Sequence, residues 1–149
     1  MKVFIAADHA GFALKNALTD HVRTLGYEVV DMGAFSQNPD DDYPDFIMPL
    51  MQRVAEENAR GADAARGIVV GGSGQGEAMC ANRVKGIRAA VFYSGPLELV
   101  RLAREHNDAN ILAIGARFVS DGEANEAARI FLETPFSESP RHARRLAKF

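Results

Sequence analysis

Five short apolar runs recur along the 149-residue chain: "KVFIAA" (2–7), "YEVVDM" (27–32), "GIVV" (67–70), "IRAAVFY" (87–93) and "NILAIG" (110–115). They are near-continuous rather than alternating, the pattern of strands covered on both faces. Helical patterns lie between them. Strand–helix alternation requires right-handed crossovers and so a parallel sheet between two helical layers. The expected class is α/β: a three-layer αβα sandwich around a five-stranded parallel sheet, as one domain over residues 1–149.

The intervening segments carry their own signals. From Phe12 to Leu25, Phe12, Leu14, Leu18, Val22 and Leu25 fall mostly on one helical face. Pro44 to Arg60 opens at a proline and stops before Gly61. Because Pro49 lies early in that segment, the regular helix is expected to begin only there. Further helices are expected at 75–84, 96–106, 122–133 and 139–148. Ser120 or Asp121 would cap the fifth, with Glu123 in its positive first turn.

A net charge of -3 and a pI near 5.8 speak against a nucleic-acid partner. No stretch approaches the roughly 20 apolar residues of a membrane helix, and "VFIAA" is too short for a secretion signal. One cysteine, Cys80, excludes an internal disulfide and suits a reducing compartment, so a cytoplasmic location is expected. Cys80 itself reads as a small packing residue. The acidic "PDDDYPD" within the unusual loop 33–45 lacks the spacing of a calcium loop and reads as solvated, with no metal expected.

In open parallel sheets ligands sit beyond the carboxyl ends of the strands. The residues to inspect are therefore "DHAG" after the first strand, "GGSGQGE" after the third, "HNDAN" before the fifth and "GAR" after it. The glycine loop fails three familiar patterns. A dinucleotide fingerprint would need glycine where Glu77 stands. A triphosphate loop would need Lys-Ser or Lys-Thr where Glu77 and Ala78 stand, and Glu77 reverses the required charge. A nucleophile elbow would need glycine where Gln75 stands. What remains is an N–H-lined turn with a carboxylate opening a helix. Backbone donors there can hold a developing oxyanion while the carboxylate takes a proton from the adjacent carbon. The same residues would also serve a plain tight turn with a glutamate favoured by the helix dipole.

Read in order, "ADHAGFALK", "DYPD", "GGSGQGE", "ANRVKGIRAA", "REHNDANIL", "IGAR" and "RHARRL" resemble the B-type ribose-5-phosphate isomerases and the related galactose-6-phosphate isomerase subunits. The match spans nearly the whole chain. It implies a Rossmann-like sheet, aldose–ketose isomerisation of a sugar phosphate without metal or nucleotide, and a homodimer or homotetramer with active sites at the subunit interface. Many members of the group carry a catalytic cysteine at the position of Gly71. This chain resembles the branch with a glutamate at the position of Glu77 instead.

On that resemblance Glu77 is the base that moves a proton between C2 and C1, and the amides of Gly72, Gly74 and Gly76 with the Ser73 hydroxyl hold the enediolate. His106 matches the ring-opening histidine, although a histidine at a helix end also serves as a C-terminal stabiliser. Asp8 could share ring opening, bind sugar hydroxyls or cap the helix starting near Ala10. His9 is expected near the phosphate, Asn107 on a sugar hydroxyl, and Tyr43 near the sugar. Arg141 and Arg145, four apart on one helical face, match the phosphate-binding arginines, and Arg117 matches a third. Arg144 and His142 are off-pattern and expected to be solvated. The substrate expected is ribose 5-phosphate. The rivals are a four- or six-carbon sugar phosphate, with chain length set around loop 34–45, Tyr43 and Tyr93, or a non-catalytic binding protein that keeps the pocket.

Overall fold

The computed structural model describes residues 1–61 and 63–148. It contains strands β1 (Lys2–Ala7), β2 (Glu28–Asp31), β3 (Ala65–Gly71), β4 (Ala89–Phe92) and β5 (Ile111–Gly115). Between and after them run helices α1 (Phe12–Thr24), α2 (Pro44–Arg60), α3 (Gln75–Ala81), α4 (Glu98–Asn107), α5 (Asp121–Glu133) and α6 (Pro140–Leu146). All four strand pairings are parallel and the spatial order is β2-β1-β3-β5-β4. The chain thus has the expected Rossmann-like α/β sandwich.

That order assigns the layers. Steps from β1 to β2 and from β4 to β5 run one way across the sheet; those from β2 to β3 and β3 to β4 run the other way. With right-handed crossovers, α1 and α4 must cover one face and α2 and α3 the opposite one. Strand side chains alternate accordingly. Val3, Ile5, Val70 and Ile114 pack with Leu18 of α1, Val100 of α4 and Phe131 of α5. Phe4, Ala6, Val69 and Ala113 pack with Leu50 of α2 and Ala78 of α3. Every one of these is buried, which is why the runs of the central strands β1, β3 and β5 are apolar on both faces.

The helix ends follow local chemistry. Ser120 is the N-cap of α5 in a full capping box with Glu123. α3 stops at Ala81 because Asn82 bonds both the N–H and the carbonyl of Ala89, turning the chain toward β4. α2, against expectation, runs unbroken from Pro44 with Pro49 inside it. A proline in the second turn forfeits the single bond it would have donated to the Asp45 carbonyl, and Ile47, Leu50, Met51 and Val54 bury the helix on the sheet.

Loop 33–45 is anchored from beneath. Lys15 of α1 is almost fully buried, and its ammonium donates to Asp31 at 2.7 Å and to the Ala34 carbonyl at 3.0 Å. The rings of Phe12 and Phe35 flank it at 5.6 and 5.7 Å. Removing the ammonium leaves the partly exposed Asp31 carboxylate and the buried Ala34 carbonyl without this donor. Lys15→Met should therefore lower stability by about 2–3 kcal/mol, read as a lower urea midpoint with an unchanged slope, and should expose loop 33–45 to earlier proteolytic cutting.

Candidate active site

β1 lies where the strand order reverses, its neighbours β2 and β3 being reached in opposite directions. The carboxyl ends of β1 and β3 therefore splay around a crevice, the usual ligand position in such sheets. A pocket of about 310 Å³ opens there, walled by Asp8, His9, Tyr43, Ser73, Glu77 and Arg117 among others.

The glycine loop is shaped for close approach. Gly74 has φ of 75° and precedes α3; a Cβ there would lie 3.1–3.2 Å from the Ala113 and Ile114 backbone. A Cβ on Gly72 would meet the Arg117 guanidinium at 3.1 Å, and one on Gly76 would meet the Tyr43 ring at 3.0 Å. Two glycines thus admit two side chains, Arg117 and Tyr43, close against the loop. Ser73 Oγ accepts the Gln75 N–H at 3.3 Å, leaving its own proton free to donate.

Glu77 is 4 % exposed. Its carboxyl occupies the space in front of Gly71, where a Cβ would lie 1.9 Å from Oε1 and 2.2 Å from Cδ. No side chain at position 71 is compatible with that placement. The carboxyl is pushed above the ordinary glutamate range, chiefly by burial. Its own backbone N–H opposes the shift, and the charge of Asp8 reinforces it. Cys80, half-buried on the same helix, has its thiol pushed up by burial and by Glu77, as befits an unreactive packing residue.

Asp8 is buried and accepts the Ala10 and Gly11 N–H groups at 3.0 and 3.1 Å. It caps the turn leading into α1 while still reaching the pocket wall. The acidic loop is not wholly solvated, contrary to the sequence reading. Asp41 turns inward, its side chain 8 % exposed, and takes His9 Nδ1 at 2.6 Å. Asp8, His9 and Asp41 are the one grouping of metal-ligating type among the described residues. Ligand atoms on one ion about 2.0–2.2 Å away would stand roughly 3.0–3.5 Å apart; the His9–Asp41 contact is shorter and is a hydrogen bond.

The remaining expected site residues lie elsewhere. His106 and Asn107 end α4 at the amino edge of the sheet, where Asn110 bonds Arg88 at the start of β4. β5 separates this edge from the glycine loop by about 15 Å at ~3.3 Å per residue. Asn107 lines a separate cavity of about 450 Å³ with Asn82, Arg88 and Ala90. The His106 ring stacks on His142, centroids 4.2 Å apart. Sequence reading had His142 solvated; it is buried, because α6 folds back on α4. Burial, and then the charges of His106, Arg141 and Arg145, push His142 below the ordinary histidine range. Arg141, Arg144 and Arg145 are exposed beside it. One chain therefore gathers Asp8, His9, Gly72, Ser73, Gly74, Gly76, Glu77 and Arg117 at one edge and His106, Asn107, Arg141 and Arg145 at the other.

Since the pKa of Glu77 is raised on folding, the folded chain retains a proton that the unfolded chain has released as pH rises above about 4.5. Stability consequently falls through that window and the loss is complete above the folded value. Glu77→Gln should raise the calorimetric Tm at neutral pH and match the wild type near pH 4. A lower Tm at neutral pH would mean that the carboxylate is stabilised where it sits.

Comparison with known proteins identifies the family. The model of the family described as Ribose/Galactose Isomerase matches residues 3–149. Ribose-5-phosphate isomerase B of Mycobacterium leprae is 42% identical over 146 residues, covering 98% of this chain and 86% of that one. Its namesake from Mycobacterium tuberculosis is 40% identical over the same shares. Among solved structures, ribose-5-phosphate isomerase B of Mycoplasma genitalium with bound ribulose 5-phosphate superposes with a TM-score of 0.90 at 38% identity, covering 99% of this chain and 92% of that one. The Clostridium thermocellum enzyme gives 0.89 at 40% identity, with 99% and 94% covered. The chain belongs to the ribose/galactose isomerase family.

Proposed function

We propose that this protein interconverts ribose 5-phosphate and ribulose 5-phosphate through a cis-enediolate, with Glu77 as the base. The observation that carries this is the Glu77 carboxyl, buried on Gly71 with its pKa raised, beside the N–H-lined turn. A shuttling base must accept a proton from C2 and return it to C1, and a raised carboxyl pKa suits both halves of that task. In the open-chain sugar the C2 proton passes to Glu77 and on to C1, while the O2 hydroxyl proton is exchanged for one on O1. The Gly72, Gly74 and Gly76 amides and the Ser73 hydroxyl face the intervening oxyanions, one such donor being worth on the order of 3 kcal/mol. The fit of Glu77 to Gly71 also explains the two branches noted above. A cysteine at position 71 would project into the volume that the Glu77 carboxyl fills, so either residue can present a base to the same carbon, but not both at once.

The division of residues between two edges supports a site shared by two copies of the chain. Asp8, His9, Ser73, Glu77 and Arg117 would come from one protomer. His106 for ring opening, Asn107 for a sugar hydroxyl, and Arg141 and Arg145 for the phosphate would come from the partner. A homodimer is the smallest assembly that completes the site, and a homotetramer would be a pair of these. Phosphate contacts from His9 and Arg117 on one side and two arginines on the other would position the reacting carbons.

Ketose formation should be greatest with ribose 5-phosphate in a panel of four-, five- and six-carbon aldose phosphates; a stronger six-carbon activity would replace the substrate. Glu77→Gln and His106→Asn should each be nearly inactive alone. Unfolded together and refolded, they should recover roughly a quarter of wild-type activity, because half the dimers are mixed and each mixed dimer holds one intact site. No recovery would place both residues in a site built by a single chain.

A further inference from the structure

We propose that Asp41 is a positioning residue that anchors the His9 ring through Nδ1 and so presents Nε2 to the substrate's phosphate. This rests on the placement of His9 beside the phosphate. A single oxygen of Asp41, Oδ1, accepts both the His9 backbone N–H at 3.2 Å and the ring nitrogen at 2.6 Å. Backbone and ring are thereby fixed to one point. The two side chains are unequal: Asp41 is 8 % exposed and His9 32 %. The carboxylate lies behind the ring, and His9 lines the pocket while Asp41 does not. The second carboxylate oxygen, Oδ2, is buried and has no hydrogen-bond partner among the described residues. Withdrawing a loop aspartate from water with half its acceptors unfilled is costly, and its contact with His9 is the compensating interaction visible in this region.

The tautomer follows from the donor inventory. A carboxylate only accepts, so Nδ1 carries the proton. Nε2 then donates to a phosphate oxygen when the ring is an imidazolium. The surroundings favour that state: the bond to Asp41 raises His9 above the ordinary histidine value of 6.5, desolvation opposes it, Asp8 and the Asp41 charge add to it, and Arg117 lowers it. Tyr43 and Glu77 complete the walls of the same pocket. Arg117 and a charged His9 would then offer two cationic donors to one dianion from the same protomer.

The test combines kinetics with a tautomer measurement. Asp41→Asn should raise the KM for ribose 5-phosphate and the inhibition constant of inorganic phosphate together, by about tenfold, with kcat changed far less. The KM ratio of variant to wild type should grow from about pH 6 to about pH 8, because without the carboxylate His9 loses its charge at lower pH. His9→Asn should raise both constants, and adding Asp41→Asn to it should do little more. In the wild-type protein, nitrogen-15 shifts of His9 should show Nδ1 protonated throughout and Nε2 titrating, a readout independent of activity and of variant folding. Unchanged constants in Asp41→Asn beside impaired His9→Asn, additive effects in the double variant, or an Nε2-protonated neutral ring would each overturn the role of Asp41. Unchanged constants in His9→Asn would instead overturn the placement of His9 at the phosphate.

Discussion

The contact between a carboxyl and a missing side chain governs this site. Glu77 reaches the pocket because Gly71 offers no Cβ, and Gly71 can lack one because it ends β3, the central strand, where pairing with Gly115 of β5 and the Ala116 N–H on its carbonyl hold the chain without help from a side chain. Burial there raises the proton affinity of the carboxyl, which is unfavourable for folding at neutral pH and useful for moving protons. The surrounding glycines extend the same logic, giving Arg117 and Tyr43 room to lie against the loop.

Around this centre the sheet acts as a spacer. Parallel strands put every loop that follows a strand on one edge and every loop that precedes one on the other. Asp8, the glycine loop and Arg117 are therefore neighbours despite wide sequence separation. His106 and Asn107 precede β5 and cannot join them within the chain. Under the proposed function, a second copy of the chain would supply those groups. The stacked His106–His142 pair holds one of those groups at a defined orientation.

Much of the fold was legible in the sequence because buried parallel strands write themselves as uninterrupted apolar runs. All five strands lie within or around those runs; the start of α5 was marked by the Ser120 capping box and the end of α2 by the glycine that follows it. Strand order was not legible, since the runs of the three central strands are apolar on both faces and none declares its neighbours. Pro49 misled because local propensity counts one lost bond but not the burial that outweighs it. The glycine loop was readable through the residue types it excludes. Asp41 and His142 were missed for a common reason: each belongs to a polar-looking segment, and its burial depends on a partner, His9 or His106, that only the tertiary fold brings near. A carboxylate two residues before "YPD" gave no sequence signal beyond its charge.

Isotope exchange at the substrate carbon bears most directly on Glu77. In heavy water the wild-type protein should place deuterium at C2 of ribose 5-phosphate recovered after partial turnover. Glu77→Gln should bind the sugar phosphate yet exchange that position at least about a hundredfold more slowly. Exchange at the wild-type rate in the variant would show that some other group takes the proton, and the chemistry assigned to the buried carboxyl would be wrong.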